Sequence, residues 1–176
     1  MRLKNGEIVT IKTTQVNDAQ ALLDFFNASL YESDSLTTAP GELNLTLEME
    51  ERLVQGWIDN KNCNNLICLH EGEIIGICGL HGKDNRKRLG HITNLGITVS
   101  KSYWGLGVGY LLIQEQINYA KRVGLKKLDL EVRTDNLGAV HLYKKCGFEI
   151  EGTHKMAALI DGEYKDNYFM GLIIDL

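Results

Sequence analysis

The sequence predicts a mixed α/β fold: a mostly antiparallel sheet of seven strands with about four helices, in one domain over residues 1–176. Three observations carry this reading. Seven short runs alternate or concentrate apolar residues as strands do. Two connections between them, Glu71-Gly72 and Asp161-Gly162, are two-residue hairpin signals, which make their flanking strands antiparallel. Four further segments place apolar residues at helical spacing between capping residues and glycines.

Residues 8–13, "IVTIKT", alternate as a first strand. Asn17 and Asp18 can cap a helix that runs to about Ser29. The polar stretch "YESDSLTTAPGELN" holds the only proline, Pro40, and reads as a long loop. A second helix follows over residues 46–59, opened by Thr46. "LICLH" and "IIGICGL" are strands, and "RKRLGHITNLGITV" is a longer one whose internal Gly96 suggests a bulge. Ile113, Ile117 and Ala120 fall at i, i+4 and i+7, giving a helix that reaches Arg122 and stops at Gly124. "KKLDLEVR" alternates again, "NLGAVHLYKKC" is a short helix capped by Asp135 or Asn136, and two strands close the chain around Asp161-Gly162.

Composition narrows the function. Hydrophobic residues make up 44% and charged residues 24%, the profile of an ordinary water-soluble domain. No apolar h-region follows Met1, and no run reaches the about 18 apolar residues of a membrane span. Cys63, Cys68, Cys78 and Cys146 contain no C-x-x-C pair, and reduced core thiols in a cytoplasmic protein are expected. Residues 83–88, "KDNRKR", are basic but lack interleaved aromatics, so nucleic-acid binding is not expected. The charge is uneven: residues 1–82 carry 5 Lys and Arg against 12 Asp and Glu, and residues 83–176 carry 14 against 11. Eight acids lie between Lys12 and Arg52 without one basic residue. A solvated helix face accounts for them, and so does a surface that draws in a cation.

Residues 100–113, "SKSYWGLGVGYLLI", set Gly105, Gly107 and Gly109 at alternate positions between a strand end and a helix start. The first amides of a helix lack intrahelical partners and carry partial positive charge, and backbone without Cβ atoms can approach a phosphate. A P-loop would require Gly-Lys-Ser/Thr, but Tyr110 and Leu111 follow Gly109. A dinucleotide fingerprint counted from Gly105 would need glycine where Tyr110 stands.

A third type of cradle fits. The sequence resembles the GNAT superfamily of acetyl-CoA-dependent N-acetyltransferases, whose signature is Arg/Gln-x-x-Gly-x-Gly/Ala at a helix start. Here it reads Trp104-Gly105-Leu106-Gly107-Val108-Gly109, with Trp104 where the family has Arg or Gln. The resemblance continues in "LDLEVRTDNLGAVHLYKKCGFEIEGT" through Asn136, Ala139, Tyr143 and Gly147-Phe148, and in "DGEYKDNYFMGL", which looks like the closing hairpin of the ribosomal-protein and small-amine branches. It covers roughly residues 8–174.

The resemblance implies a central pair of strands, the fourth and fifth, that splay apart, with a bulge near Leu95-Gly96 helping them. It implies that the backbone of Ile97, Thr98 and Val99 pairs with the pantetheine arm of acetyl-CoA. The pyrophosphate would rest on Gly105, Leu106, Gly107, Val108, Gly109 and Tyr110, and Asn136 would contact the donor from the far side. Tyr143 matches the general acid that protonates the departing thiolate; a core aromatic would satisfy the same helix position. Glu131 matches the proton acceptor of the ribosomal-protein alanine branch; a solvated or salt-bridged strand carboxylate is the alternative. His91, His141 and His154 are further groups titrating near 7. No cluster has metal spacing. The implied activity is direct acetyl transfer to a primary amine on a protein N-terminus or a small molecule. A non-catalytic acyl-CoA-binding module stays open beside it, and a homodimer is the family's habit. Glu32, Asp34 and Glu42, on the Pro40 loop, are expected to favour a neutral or basic acceptor over an acidic one.

Overall fold

The computed structural model of the chain describes residues 1–82 and 87–174. Seven strands form one sheet in the order β1-β2-β3-β4-β5-β7-β6. They are β1 (Thr10–Thr13), β2 (Asn64–His70), β3 (Glu73–Gly82), β4 (Ile92–Val99), β5 (Lys127–Arg133), β6 (Glu149–Ile160) and β7 (Glu163–Ile173). Four helices accompany them: α1 (Ala19–Glu32), α2 (Leu47–Ile58), α3 (Val108–Val123) and α4 (Leu137–Lys145). Both hairpin signals are realised with paired left-handed residues. Glu71 and Gly72 have φ of 51° and 90°, and Asp161 and Gly162 have 50° and 82°, the twist that tight hairpins need.

The sheet separates two layers. On one face α3 buries Val108, Leu112, Ile113, Ile117 and Ala120 against Cys78, Leu80, Leu95, Leu128 and Leu130. On the other, α1 and α2 close a smaller core of Leu22, Val54 and Ile67, with Trp57 and Ile77 packed on it. Cross-strand partners share a face, so the registers Ile77↔Thr98, Gly79↔Gly96 and His81↔Asn94 place these residues beneath α1 and α2. The same rule carries the face across β4 and β5 through Asn94↔Asp129, and period two then puts Glu131 and Arg133 on it.

The decisive feature is the meeting of β4 and β5. It is parallel and stops after Ile92↔Lys127, Thr93↔Leu128 and Asn94↔Asp129. From Leu95 onward the two strands diverge, as the resemblance implies. The expected bulge at Leu95-Gly96 is absent: pairing with β3 runs in unbroken register from Gly76↔Val99 to Gly82↔Thr93. The cleft opens because β4 stays with β3 while β5 follows β7, paired with it along its whole length from Lys127↔Ile173 to Arg133↔Asn167.

Other boundaries move for local reasons. Asp18 does not cap α1 through its side chain; its carboxylate accepts from Lys12 Nζ at 2.8 Å and from the Gln15 amide at 2.9 Å, closing the turn before the helix. Thr46 does cap α2, accepting from the Met49 amide at 3.3 Å. The strand expected from Arg86 begins only at Ile92, with residues 87–91 in a turn. Most of the basic "KDNRKR" segment, residues 83–86, lies outside the described residues. Among the described residues no disulfide forms, and all four cysteines are buried. Among the described residues no helix is long and apolar enough to cross a membrane.

Candidate active site

The divergence of β4 from β5 opens a cavity of about 1750 Å³. Its lining includes every residue from Ile97 to Val99 and from Gly105 to Tyr110, together with Glu131, Asn136 and Tyr143. His141 and His154 also line it, whereas His91 lies outside, at the base of β4.

The three glycines have different causes. Gly105 and Gly107 have φ of 76° and 104°, left-handed values that favour glycine. A Cβ on either would meet nothing within 4 Å, so the space over them is open. Gly109 is held by packing instead: a Cβ there would stand 2.8 Å from Leu142 Cδ2, so its absence lets α4 press against the start of α3. Gly107 is the N-cap of α3. Helix geometry therefore leaves the amides of Val108, Gly109 and Tyr110 to a ligand, with the positive end of the helix dipole behind them. Cations add to that field. Lys4 donates from Nζ to the Gly105 carbonyl at 2.9 Å, and its own amide donates to Leu106 O at 3.1 Å. Lys145 Nζ lies 4.9 Å over the Tyr110 ring. Lys4 is far from the glycines in sequence; only the apolar Leu3 beside it, buried in the core, hints that this segment docks.

Along β4 the strand alternation decides which backbone groups face the opening. Ser100 N donates to Ile75 O at 3.0 Å, so Thr98, two residues earlier, also turns its N–H and C=O toward β3. Ile97 and Val99 turn theirs to the cleft. The Val99 carbonyl is already taken, because Trp104 Nε1 donates to it at 2.7 Å. Of the three residues expected to pair with pantetheine, Ile97 offers both groups, Val99 only its N–H, and Thr98 neither. Trp104 thus fixes the end of β4 onto the glycine turn, a packing job in place of a polar contact to a ligand.

On the opposite lip, Tyr143 is buried on α4, with its ring 5.9 Å from Phe148 at 61°. Burial, reinforced by Cys78 and Cys146, pushes its phenol well above the usual tyrosine range, so it keeps its proton. Glu131 is the first residue of β5 on the α1/α2 face beyond the last β4–β5 pair, at the edge of the opening. Its Oε2 accepts from Asn167 Nδ2 at 3.3 Å and lies 3.6 Å from His154 Nδ1. His154 stacks on Phe169 at 5.4 Å. The Asn136 side chain is spent on structure: Oδ1 caps α4 by accepting from Ala139 N at 3.1 Å, and Nδ2 donates to Ser35 Oγ at 3.1 Å.

The Pro40 loop bridges the two lips. On one lip Glu32, at the loop's start, accepts from the Lys101 amide at 2.8 Å. On the other lip, two residues on, Arg133 donates to Asp34 O at 2.7 Å and pairs with Asp34 Oδ2 at 3.1 Å. Glu42 accepts from the Ala39 amide at 2.8 Å. The loop acids expected to attract an acceptor are therefore ties that hold the loop in place. Arg133 is also bound by Asp135 at 2.8 Å. Among the described residues no group of three His, Cys, Asp or Glu side chains could hold a metal ion.

Residues 28–148 match the model of the acetyltransferase (GNAT) family. The chain is 34% identical over 125 residues to the L-amino acid N-acetyltransferase of Escherichia coli K12, an alignment covering 70% of this chain and 74% of that one. A GNAT-family acetyltransferase structure from Streptococcus pneumoniae superposes with a TM-score of 0.91 at 34% identity, covering 96% of this chain and all of the other. A phosphinothricin acetyltransferase from Sinorhizobium meliloti, solved with acetyl-CoA, superposes with a TM-score of 0.81 at 19% identity, over 94% of this chain and 88% of that one.

Proposed function

The chain belongs to the acetyltransferase (GNAT) family and is an acetyl-CoA-dependent N-acetyltransferase, and from that premise we propose how its residues divide the work and what kind of amine it serves. The observation that carries the assignment of roles is the splay itself. It leaves an unpaired strand edge, a left-handed glycine turn and a helix N-terminus in one line, facing a buried phenol.

Donor binding is main-chain work. Ile97 N–H and C=O and the Val99 N–H would pair with the pantetheine amides as an added strand does. The amides of Val108, Gly109 and Tyr110, with Lys4 beside them, would hold the pyrophosphate. When bound, acetyl-CoA supplies the activated acetyl group. The acceptor must attack as a neutral amine, so a proton leaves its nitrogen; Glu131, at the edge of the splay, takes it directly or through water. Tyr143, kept protonated by burial, gives a proton to the departing sulfur.

The acceptor is a primary amine on a neutral or basic small molecule or peptide. An L-amino acid is the second reading, favoured by the Escherichia coli relative. Its carboxylate would call for Arg133, which already serves Asp34 and Asp135. The four buried thiols, joined by no disulfide, support a reducing, cytoplasmic setting, and the homodimer implied by the family is checked by light scattering. Incubating the protein with acetyl-CoA and a panel of primary amines, and following CoA release, tests the activity. Release with at least one amine is expected, with Glu131→Gln slowing it most at low pH, where the free amine is scarcest. Tight acetyl-CoA binding without release from any amine would favour the binding-module reading instead.

A further inference from the structure

The inward stripe of α2 reads Glu50, Val54, Trp57, positions i, i+4 and i+7 of an amphipathic helix. Val54 is fully buried in the small core and Trp57 packs on it. Glu50 should by that period be apolar, yet it is a carboxylate only 7% exposed, on the wall of the cavity. Among the described residues no hydrogen bond or ion pair engages its carboxylate. Its residue is mostly covered while its carboxylate oxygens keep access to the cavity, so the charge is presented to whatever enters there.

About two helical turns along the same stripe, roughly 10 Å of rise, the cavity wall turns aromatic and polar. Trp57 lies with its ring 5.7 Å from His81 at 62°, and both line the cavity. The packing around His81 lowers its pKa, so the imidazole is neutral at pH 7 and does not compete as a counter-ion. Gly79 makes room for the imidazole: a Cβ there would stand 2.6 Å from His81 Nε2 and 3.4 Å from Asn65 Oδ1. Asn65 is itself buried and lines the cavity. Gly79, Asn65 and His81 share the sheet face that carries Glu131. The remaining walls here, Leu22, Phe26 and Ile77, are apolar.

We propose that Glu50, sharing its cavity wall with Trp57, His81 and Asn65, is the head of the acceptor's recognition subsite, and that the subsite selects a cationic primary amine with an apolar or aromatic body and no carboxylate. Glu50 receives the ammonium before it loses its proton, and Trp57, about two turns further along the helix, meets the apolar or aromatic body. A free amino acid is disfavoured because its carboxylate would enter beside an unpaired acid with no cation to meet it. This inference rests on the acetyl-transfer reading given above.

The test compares phenethylamine, L-phenylalaninamide and L-phenylalanine as acceptors; the last two differ only in the carboxylate. Glu50→Gln should raise KM for the first two roughly 10- to 100-fold, the range for a hydrogen bond to a charged group, with kcat and the KM for acetyl-CoA little changed. L-Phenylalanine should be the poorest acceptor of the wild type, and Glu50→Gln should narrow the gap between it and its amide. Glu48→Gln, on the exposed face of the same helix, should change nothing. An unchanged KM in Glu50→Gln, an equal effect of Glu48→Gln, or a preference for L-phenylalanine over its amide would overturn the subsite. If none of the three releases CoA, calorimetry of phenethylamine with the CoA-bound protein decides. Binding that Glu50→Gln abolishes keeps the subsite while the transfer reading falls; no binding to the wild type removes the subsite.

Discussion

Along the donor wall, β4, the glycine turn and the first turn of α3 present main-chain amides in a row; along the acceptor wall, α2, β3 and β5 present isolated side chains brought together from distant parts of the sequence. The donor is chemically constant, and main chain suits it: amide geometry changes little with sequence, and glycine is needed only where φ turns positive or a neighbour presses close. The acceptor wall is where the molecule carries its unpaired buried acid, its neutral histidine and its exposed glutamate. One wall is built for a fixed ligand, the other for choosing among ligands.

Substitutions can break this contrast or sharpen it. The largest effect belongs to the group between the walls. Tyr143→Phe should lower kcat by about 10²- to 10⁴-fold, the usual worth of a general acid, while calorimetry shows acetyl-CoA affinity little changed. Wild-type turnover would mean that the thiolate takes its proton from elsewhere. Gly107→Glu comes next. It forces a side chain into a left-handed conformation and sets a negative charge at the helix N-terminus, and should weaken acetyl-CoA binding by at least about tenfold. Its KM for the amine should hardly move, because the two walls are separate. Lys4→Gln should cost acetyl-CoA affinity only about two- to five-fold, as exposed charges do, and that loss should shrink at high salt.

The smallest effect has the opposite sign. Burial raises the pKa of Glu50 above its ordinary 4.5, so the folded protein carries an unfavourable charge at pH 7. Glu50→Gln should therefore raise the melting temperature at neutral pH. The gain should fade as pH drops through the raised folded pKa, and be gone below the unfolded value, where the wild-type carboxyl is neutral in both states. A fall in melting temperature at pH 7 would mean that Glu50 holds the fold together.

The donor wall was legible in the sequence because its signals are local. The glycines, the helix behind them and the strand before them lie between Ile92 and Val123, and backbone needs are written in glycine and in period. Even so, local reading over-assigned. It gave Thr98 to the ligand, when the hydrogen-bonding alternation of β4 commits that residue to β3. It took the missing side chain of Gly109 as clearance for a phosphate, when Leu142 fills that space and only the Gly109 amide is left to the ligand. The bulge at Gly96 failed because a glycine in a strand can simply leave room on the cleft side. The acceptor wall was barely legible. Glu50 is one of eight acids in a row of negative charge, and only its place in a stripe with Val54 and Trp57 separates it from the solvated ones. The loop acids looked free because Arg133 and the Lys101 amide, their partners, are about a hundred residues away in one case and some seventy in the other.

The seam between β4 and β5 holds by three residue pairs, whereas β5 and β7 pair over seven. Beyond Asn94 the edge of β4 turns the N–H and C=O of Ile97 and the N–H of Val99 to the cleft, and the donor is the strand-like molecule that fits there. Such a seam ties the solidity of the whole sheet to the supply of acetyl-CoA. A ligand bound only by the folded state stabilises it by RT ln(1 + [L]/Kd), about 2.7 kcal/mol at a hundredfold excess over Kd. In a cell short of acetyl-CoA the protein would idle, and it would also open more often to proteases. Its lifetime would then follow the metabolic state that its substrate reports.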